Sequence, residues 1–342
     1  MTSTSANPAV DDAVLRVEDL VVELEVEGRR TNVVDGIDLE LRRGRTLALV
    51  GESGCGKSMS ALAILRLLPR PAARLAGGRV LFDGQDLTNA PVRTMRRIRG
   101  RGIAMVFQEP MTSLNPVFSC GEQIAEVRRL HAAESRSKAW ERAVALIEEV
   151  GIDRPADRAR QLPHEMSGGM RQRVMIAMAL AGDPAVLLAD EPTTALDVTT
   201  QRQILDLLDE LCARRRMAVL LVTHDLALAA QRAQEIAVMY AGRIVESGPS
   251  DAVFRAPSHP YTLGLLACRP VLGKRQERLP SIPGNVPDVF DRPSGCRFHP
   301  RCPYAVARCH EEVPAAVEDG PGRMVACHER TTVRARGEWI DA

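Results

Sequence analysis

The sequence predicts an α/β fold, and three observations carry that prediction. Thr46-Leu47-Ala48-Leu49-Val50 is a short apolar stretch that reads as a buried strand, and residues 59–68 read as a helix that stops before Pro69. Further apolar runs at 103–107, 185–189 and 218–222 end on polar residues: Gln108, the pair Asp190-Glu191, and Thr223-His224-Asp225. The carboxyl ends of buried strands are where α/β sheets bind ligands. Segments 15–18, 22–26 and 37–41 alternate apolar and charged residues, the pattern of half-buried antiparallel strands.

Between the first strand and its helix lies Gly51-Glu52-Ser53-Gly54-Cys55-Gly56-Lys57-Ser58, a G-x-x-x-x-G-K-S run in the strand–turn–helix context that a phosphate-binding loop requires. Its three glycines let backbone N–H groups turn inward around phosphate oxygens, and the helix N-terminus adds partial positive charge. Lys57 is expected to reach the β- and γ-phosphates and Ser58 to ligate Mg²⁺. The candidate nucleotide-binding residues are Gly51, Ser53, Gly54, Cys55, Gly56, Lys57, Ser58 and Met59. A glycine-rich turn of no special purpose would not need the lysine, the hydroxyl and both flanks together. The expected architecture is a P-loop NTPase core with an antiparallel β subdomain and a helical subdomain, plus a small cysteine-containing C-terminal extension.

Composition narrows the functions available. The 342 residues suffice for one large domain and an appendage, or for two domains. Lys+Arg 45 against Asp+Glu 44 leaves a net charge of +1, which argues against a surface for polyanions built on overall charge. Aromatic residues are only 3%, too few for a stacking platform for single-stranded nucleic acid. No apolar run approaches the ~18 residues that span a bilayer. Residues 1–12 are small and polar, unlike a secretory signal. These features predict a cytosolic protein that reaches a membrane only through a partner.

Taken in order, residues 1–13 are expected to be a flexible N-terminus and 14–255 a nucleotide-binding domain. Turns are supplied by 27–30 and by Arg43-Gly44, and Arg79-Val80-Leu81-Phe82 reads as a further short strand. Residues 109–165 change character: a loop, then amphipathic helices over roughly 119–133 and 136–150, read as a helical subdomain inserted into the core. Ser167-Gly168-Gly169 opens the next helix as a second anion-binding nest, although the same residues would also serve as an ordinary helix cap. In the carboxylate pair, Asp190 is expected to hold Mg²⁺ and Glu191 to polarise the attacking water. His224 is a candidate γ-phosphate sensor. Segments 236–240 and 243–248 close the core as a hairpin around Ala241-Gly242.

With these residues in view, the chain resembles an ATP-binding cassette ATPase over about 14–255. The resemblance rests on six motifs in order: 51–58, Gln108, the signature at 166–170, Asp190-Glu191, Leu196-Asp197 and His224. It implies a head-to-tail dimer with ATP held between one subunit's P-loop and the signature of the other. Gln108 then contacts Mg²⁺ and the attacking water, Glu191 is the catalytic base, and Ser167, Gly168, Gly169 and Met170 serve the partner's ATP. Met170 stands where the family usually has Gln, a variant shared with the members it most resembles, as are His164-Glu165 and Arg171-Gln172-Arg173. Residues 14–50 contain no Phe, Tyr or Trp to stack on adenine, so Leu24 or Val26 is expected to pack there.

Residues 256–342 form the expected C-terminal extension. His259-Pro260-Tyr261-Thr262, segment 282–287 and segment 295–303 resemble the extension of oligopeptide/dipeptide permease ATPases, as does 109–116. The resemblance implies an iron–sulfur cluster there. Cys296, Cys302, Cys309 and Cys327 are the candidate ligands of a [4Fe–4S] cluster; their spacing is looser than zinc knuckles, while His299, His310 and His328 keep zinc as an alternative, and free thiols are the third reading. The expected function is the ATP-hydrolysing subunit of an importer of oligopeptides, dipeptides or related solutes, peripheral on the cytoplasmic face of the membrane. The expected partners are a second cassette subunit, favoured to be a paralogue, two transmembrane permease subunits and, indirectly, a solute-binding protein. Two rival readings are a soluble cassette ATPase acting on nucleic acid or ribosomes, and a cluster that senses redox state rather than stapling the fold.

Overall fold

The computed structural model describes residues 12–109, 113–194, 196–268, 281–337 and 339. Pro110, Met111 and Thr112, part of the loop singled out after Gln108, lie outside the described residues. The alternating N-terminal segments become two long strands, β1 (Ala13–Val26) and β2 (Arg29–Arg42), which pair antiparallel as a hairpin. The two runs read separately at 15–18 and 22–26 are one strand. The register shifts between Val17 and Leu20, where Asp19 takes a left-handed φ of 47°. The sheet is completed by β4 (Ala73–Phe82) and β5 (Gln85–Asp86), in the order β2-β1-β4-β5. β4 starts earlier than its apolar run suggested, because Arg74, Gly77 and Gly78 interrupt the alternation without ending the pairing to β1.

The second sheet holds the parallel core. It contains β3 (Thr46–Val50), β6 (Ile103–Val106), β7 (Val186–Asp190), β8 (Ala218–Thr223) and β9 (Glu235–Tyr240), parallel to one another, and β10 (Arg243–Pro249), β11 (Val317–Glu318) and β12 (Met324–Val325), in the order β11-β12-β10-β9-β3-β8-β7-β6. β3, β7 and β8 are buried along their whole length, as strands covered on both faces must be. One edge of the sheet therefore collects everything that follows β3, β6, β7 and β8. β10 turns back antiparallel on β9.

Helices α1 (Lys57–Ile64), α2 (Val92–Ile98), α3 (Cys120–Ala132) and α4 (Arg136–Glu149) come next in the chain. α2 went unread in the sequence because its arginines mask a helical face that buries only Met95. Ser119 and Ser135 cap α3 and α4, accepting from the backbone N–H groups of Glu122 and Lys138. Arg128 of α3 ties this helical region to the core, donating to Ala181 O at 2.9 Å and to Asp183 and Glu134 at 2.6 Å each.

The residues after 256 join the main core through Tyr261 and Phe298 and add a small cluster of Leu263, Tyr304 and Val333 beside it. β12 pairs with β10, and β11 adds beyond it. The rings of Tyr261 and Phe298 pack on Tyr240 of β9 at centroid distances of 4.6 and 5.1 Å, contacts worth about 0.5–1.5 kcal/mol each beyond area burial. Glu246 of β10, wholly buried, is paired with Arg323 and accepts from the N–H groups of Ser258 and His259 at 2.9 and 3.0 Å.

His259 is 1% exposed, and burial pushes its imidazole from 6.5 down to about 3. Its Nδ1 accepts from Tyr261 N–H at 3.0 Å, so the folded chain needs the neutral ring. The unfolded chain takes up a proton below 6.5 that the folded chain refuses until about 3. Stability is thus full at neutral pH and falls as pH drops through that window, by up to about 1.4 kcal/mol per pH unit for this one group. Urea unfolding at about pH 7 and about pH 5 is expected to show a loss of roughly 2 kcal/mol that shrinks in His259→Asn; an unchanged slope in the variant would remove His259 from the account.

Candidate nucleotide site

The loop between β3 and α1 is pressed onto its neighbours. A Cβ on Gly51 would lie 2.2 Å from Met239 O, and one on Gly56 would meet Met239 Cε at 2.8 Å and Val33 O at 2.9 Å. Gly56 also has φ of 110°, a conformation that L side chains rarely adopt. α1 begins on Gly56 without a side-chain cap, which leaves its first N–H groups for an anion. Lys57 is 5% exposed and donates from Nζ to Gly51 O at 2.7 Å and Glu52 O at 2.9 Å, with Cys55 Sγ at 3.8 Å. Burial pushes the Cys55 thiol up, against the pull of the Lys57 charge.

Ser58 Oγ donates to Asp190 Oδ1 at 3.0 Å, which joins the start of α1 to the tip of β7. Burial raises the Asp190 carboxyl, the neighbouring Glu191 charge adds to the rise, and Ser58 and Lys57 oppose it. A hydroxyl on a desolvated carboxylate is a donor set that suits Mg²⁺, whose charge would offset the desolvation.

Glu191 follows Asp190 with φ of 44°, a left-handed conformation that costs a bulky residue about 1–2 kcal/mol. Its N–H is held by Val222 O of β8 at 3.0 Å. Three side chains converge on its Oε2: Gln108 Nε2 donates at 3.2 Å, Thr194 Oγ1 donates at 2.9 Å, and His224 Nδ1 lies at 3.5 Å. Gln108, Glu191 and His224 come from beyond β6, β7 and β8, so the parallel order of the sheet assembles them. Thr194 was not anticipated. A threonine three residues past a carboxylate has no periodic signal, and only the tight turn after β7 makes the contact.

The signature residues form a second cluster. Ser167 caps α6 (Gly168–Leu180; α5 is the short Pro155–Arg158), accepting from Met170 N–H at 3.3 Å. A Cβ on Gly169 would fall 2.6 Å from Thr200 Cγ2, and one on Gly168 would sit 3.6 Å from Leu196 Cδ2. Asp197 caps α7 (Val198–Arg215), accepting from Thr200 N–H at 3.0 Å and Oγ1 at 2.7 Å. Gly169 thus lets the start of α6 close onto Thr200 at the start of α7, with Leu196 beside Gly168, giving one compact corner.

The hairpin end carries no ring of its own. Leu24 packs partly buried on the core and Val26 is 43% exposed, while Arg29 at the start of β2 lies over the Phe290 ring at 4.8 Å. Among the four extension thiols, Cys302 and Cys327 are pushed up to about 12, chiefly by burial and then by the other cysteines of the set. Cys296 and Cys309 are joined directly, the Cys296 N–H donating to Cys309 O at 2.8 Å. Among the described residues, however, no three His, Cys, Asp or Glu side chains are grouped closely enough to hold a metal ion. As placed, the expected cluster ligands are not a ligating group.

A lysine-bearing phosphate loop, a Ser–Asp pair and a carboxylate steered by Gln and His together define a nucleoside triphosphatase of the P-loop class. Comparison with known proteins makes this specific. Residues 34–194 match the ABC transporter family, and residues 245–309 match the family described as oligopeptide/dipeptide transporter, C-terminal region. The dipeptide transport ATP-binding protein DppD of Escherichia coli is 48% identical over 316 residues, 92% of this chain and 96% of that one. A peptide import ATP-binding protein of Brucella abortus is 51% identical over 312 residues, 88% of this chain and 92% of that one. Among solved structures, the dimeric post-hydrolysis state of the cassette MJ0796 with ADP and Pi matches at TM-score 0.62 and 26% identity, covering 69% of this chain and 98% of that one. The cassette cbiO1 of Clostridium perfringens matches at TM-score 0.61 and 26% identity, covering 71% and 91%. The chain belongs to the ABC transporter ATPases, in the branch that carries the oligopeptide/dipeptide transporter C-terminal region.

Proposed function

We propose that this chain hydrolyses ATP to drive import of oligopeptides, dipeptides or related solutes through partner membrane permeases. The observation that carries the reading is the convergence of Gln108, Thr194 and His224 on one oxygen of Glu191, beside the Ser58–Asp190 pair. Lys57 exchanges its carbonyl partners for phosphate oxygens when nucleotide enters. Ser58 and Asp190 would hold Mg²⁺, which supplies charge neutralisation on the phosphates. Glu191 takes the proton of the attacking water, with Gln108 and Thr194 fixing the carboxylate and His224 placed toward the γ-phosphate. Asp190 is the more buried acid and Glu191 the one at the mouth, which suits cation binding by the first and proton transfer by the second.

The corner built from Ser167, Gly168, Gly169, Met170, Leu196 and Asp197 is read as serving a second cassette, the paralogue expected from the sequence. The dimeric MJ0796 structure supports pairing of this kind. A groove of about 540 Å³ between α3 and α4, lined by Phe118, Gln123, Glu126, Arg129 and Trp140, lies just beyond the Gln108 loop and suits a permease segment. Val117 and Phe118 at its lip are 73% and 52% exposed. Among the described residues no helix is long and apolar enough to cross a membrane, in keeping with a peripheral subunit on the cytoplasmic face. A [4Fe–4S] or zinc site on Cys296, Cys302, Cys309 and Cys327 rests on the ligand type and spacing in the sequence; stoichiometric iron with acid-labile sulfide in anaerobically purified chain would distinguish the two metals. The test of the function is co-expression with the permease genes. Retention on membranes and ATP-dependent uptake of labelled dipeptide are expected, and tight salt-dependent nucleic-acid binding without membrane retention would overturn the reading.

A further inference from the structure

We propose that Arg301 is a positioning residue for the nucleotide site, acting through Glu52 of the phosphate loop, so that the C-terminal extension is part of the machinery that binds nucleotide. Arg301 Nη1 donates to Glu52 Oε2 at 2.7 Å and Nη2 donates to Glu52 Oε1 at 3.0 Å, a bidentate pair. The remaining donors are also taken. Nε binds Pro283 O at 2.8 Å, Nη1 also meets Tyr240 Oη at 3.3 Å, and Nη2 also meets Ile282 O at 3.4 Å. All five N–H groups of the guanidinium are thereby fixed. Its side chain is 5% exposed and lies 5.7 and 5.9 Å from the ring centroids of Tyr240 and Phe298.

Glu52 is held at a second point, because its backbone N–H donates to Tyr261 Oη at 2.8 Å. His259 caps the start of α10 (Pro260–Ala267, which follows α8, Leu226–Arg232, and α9, Ser250–Arg255) and so orients Tyr261. Two separate stretches, 259–262 and 298–301, therefore converge on one residue of the phosphate loop, and the carbonyls of Ile282 and Pro283 brace the arginine. The carbonyl of Glu52 receives Lys57 Nζ at 2.9 Å. Fixing the Glu52 carboxylate and N–H fixes the peptide that sets where Lys57 rests before phosphate arrives.

This inference rests on the nucleotide-site reading, and the test separates the two. Binding of fluorescent Mg–ADP to the wild-type full chain tests the site itself. Arg301→Ala and Glu52→Gln are each expected to weaken that binding roughly tenfold, a typical size for coupling between sites. The double variant is expected to be no weaker than the worse single, because both remove the same link. Arg301→Lys should recover part of the loss through its charge without the bidentate fork. A purely structural role would lower the melting temperature of the variants and leave the Mg–ADP Kd alone. Wild-type Kd in Glu52→Gln, which keeps the side-chain shape even if Arg301→Ala does not fold, would overturn the proposal. So would single-variant losses that multiply in the double.

Discussion

Glu191→Gln is expected to bind ATP with wild-type affinity and to lose hydrolysis at its site by roughly 10²- to 10⁴-fold, the usual contribution of a positioned general base. The amide keeps the size of the side chain and can still accept from Thr194 and Gln108 through its oxygen, so the turn after β7 should survive. What it lacks is the basicity to take a proton from water. With chemistry blocked and ATP retained, the closed dimer should accumulate, visible as an ATP-dependent shift to the larger species on size exclusion. Single-turnover phosphate release is the deciding readout. Wild-type release in this variant would remove Glu191 as the base and leave the convergence of Gln108, Thr194 and His224 without a catalytic purpose.

Lys57→Ala is expected to fail one step earlier. The ammonium is buried among carbonyls of its own loop, and on the proposed function its removal deletes a charge-assisted contact to phosphate in a desolvated setting. The expected loss is about 2–4 kcal/mol, a Kd roughly 30- to 1,000-fold weaker. The contrast between the variants is the informative result. Lys57→Ala should lose nucleotide, whereas Glu191→Gln should keep it. If equilibrium titration with Mg–ATP gave the two variants the same Kd, the division of labour between loop and strand tip would be wrong.

Much of this site was legible in the sequence because each part sits at the end of a buried strand. Strands that read as near-continuous apolar runs announce their own carboxyl ends, and Gln108, Asp190, Glu191 and His224 follow those runs directly. The glycine-lysine-serine spacing placed the phosphate loop for the same local reason. Where the physics is not local, the sequence was silent. Arg301 meets Glu52 across 249 positions, and neither residue belongs to a pattern that points at the other. Thr194 reaches Glu191 only because of the left-handed turn at Glu191 itself. Among the described residues of the extension, only Leu263, Tyr304 and Val333 form a buried cluster of their own. What composition could not reveal was that the extension's rings complete the face of β9 and its strands extend the central sheet.

The measurement that bears most directly on the central claim is phosphate release and labelled-dipeptide uptake followed together in proteoliposomes holding the assembled transporter. With the wild-type chain, uptake should require ATP and rise with phosphate release. With Glu191→Gln, both should fall together while nucleotide stays bound. Dipeptide uptake that continued after hydrolysis at this site had stopped, or phosphate release that never drove uptake, would contradict the account.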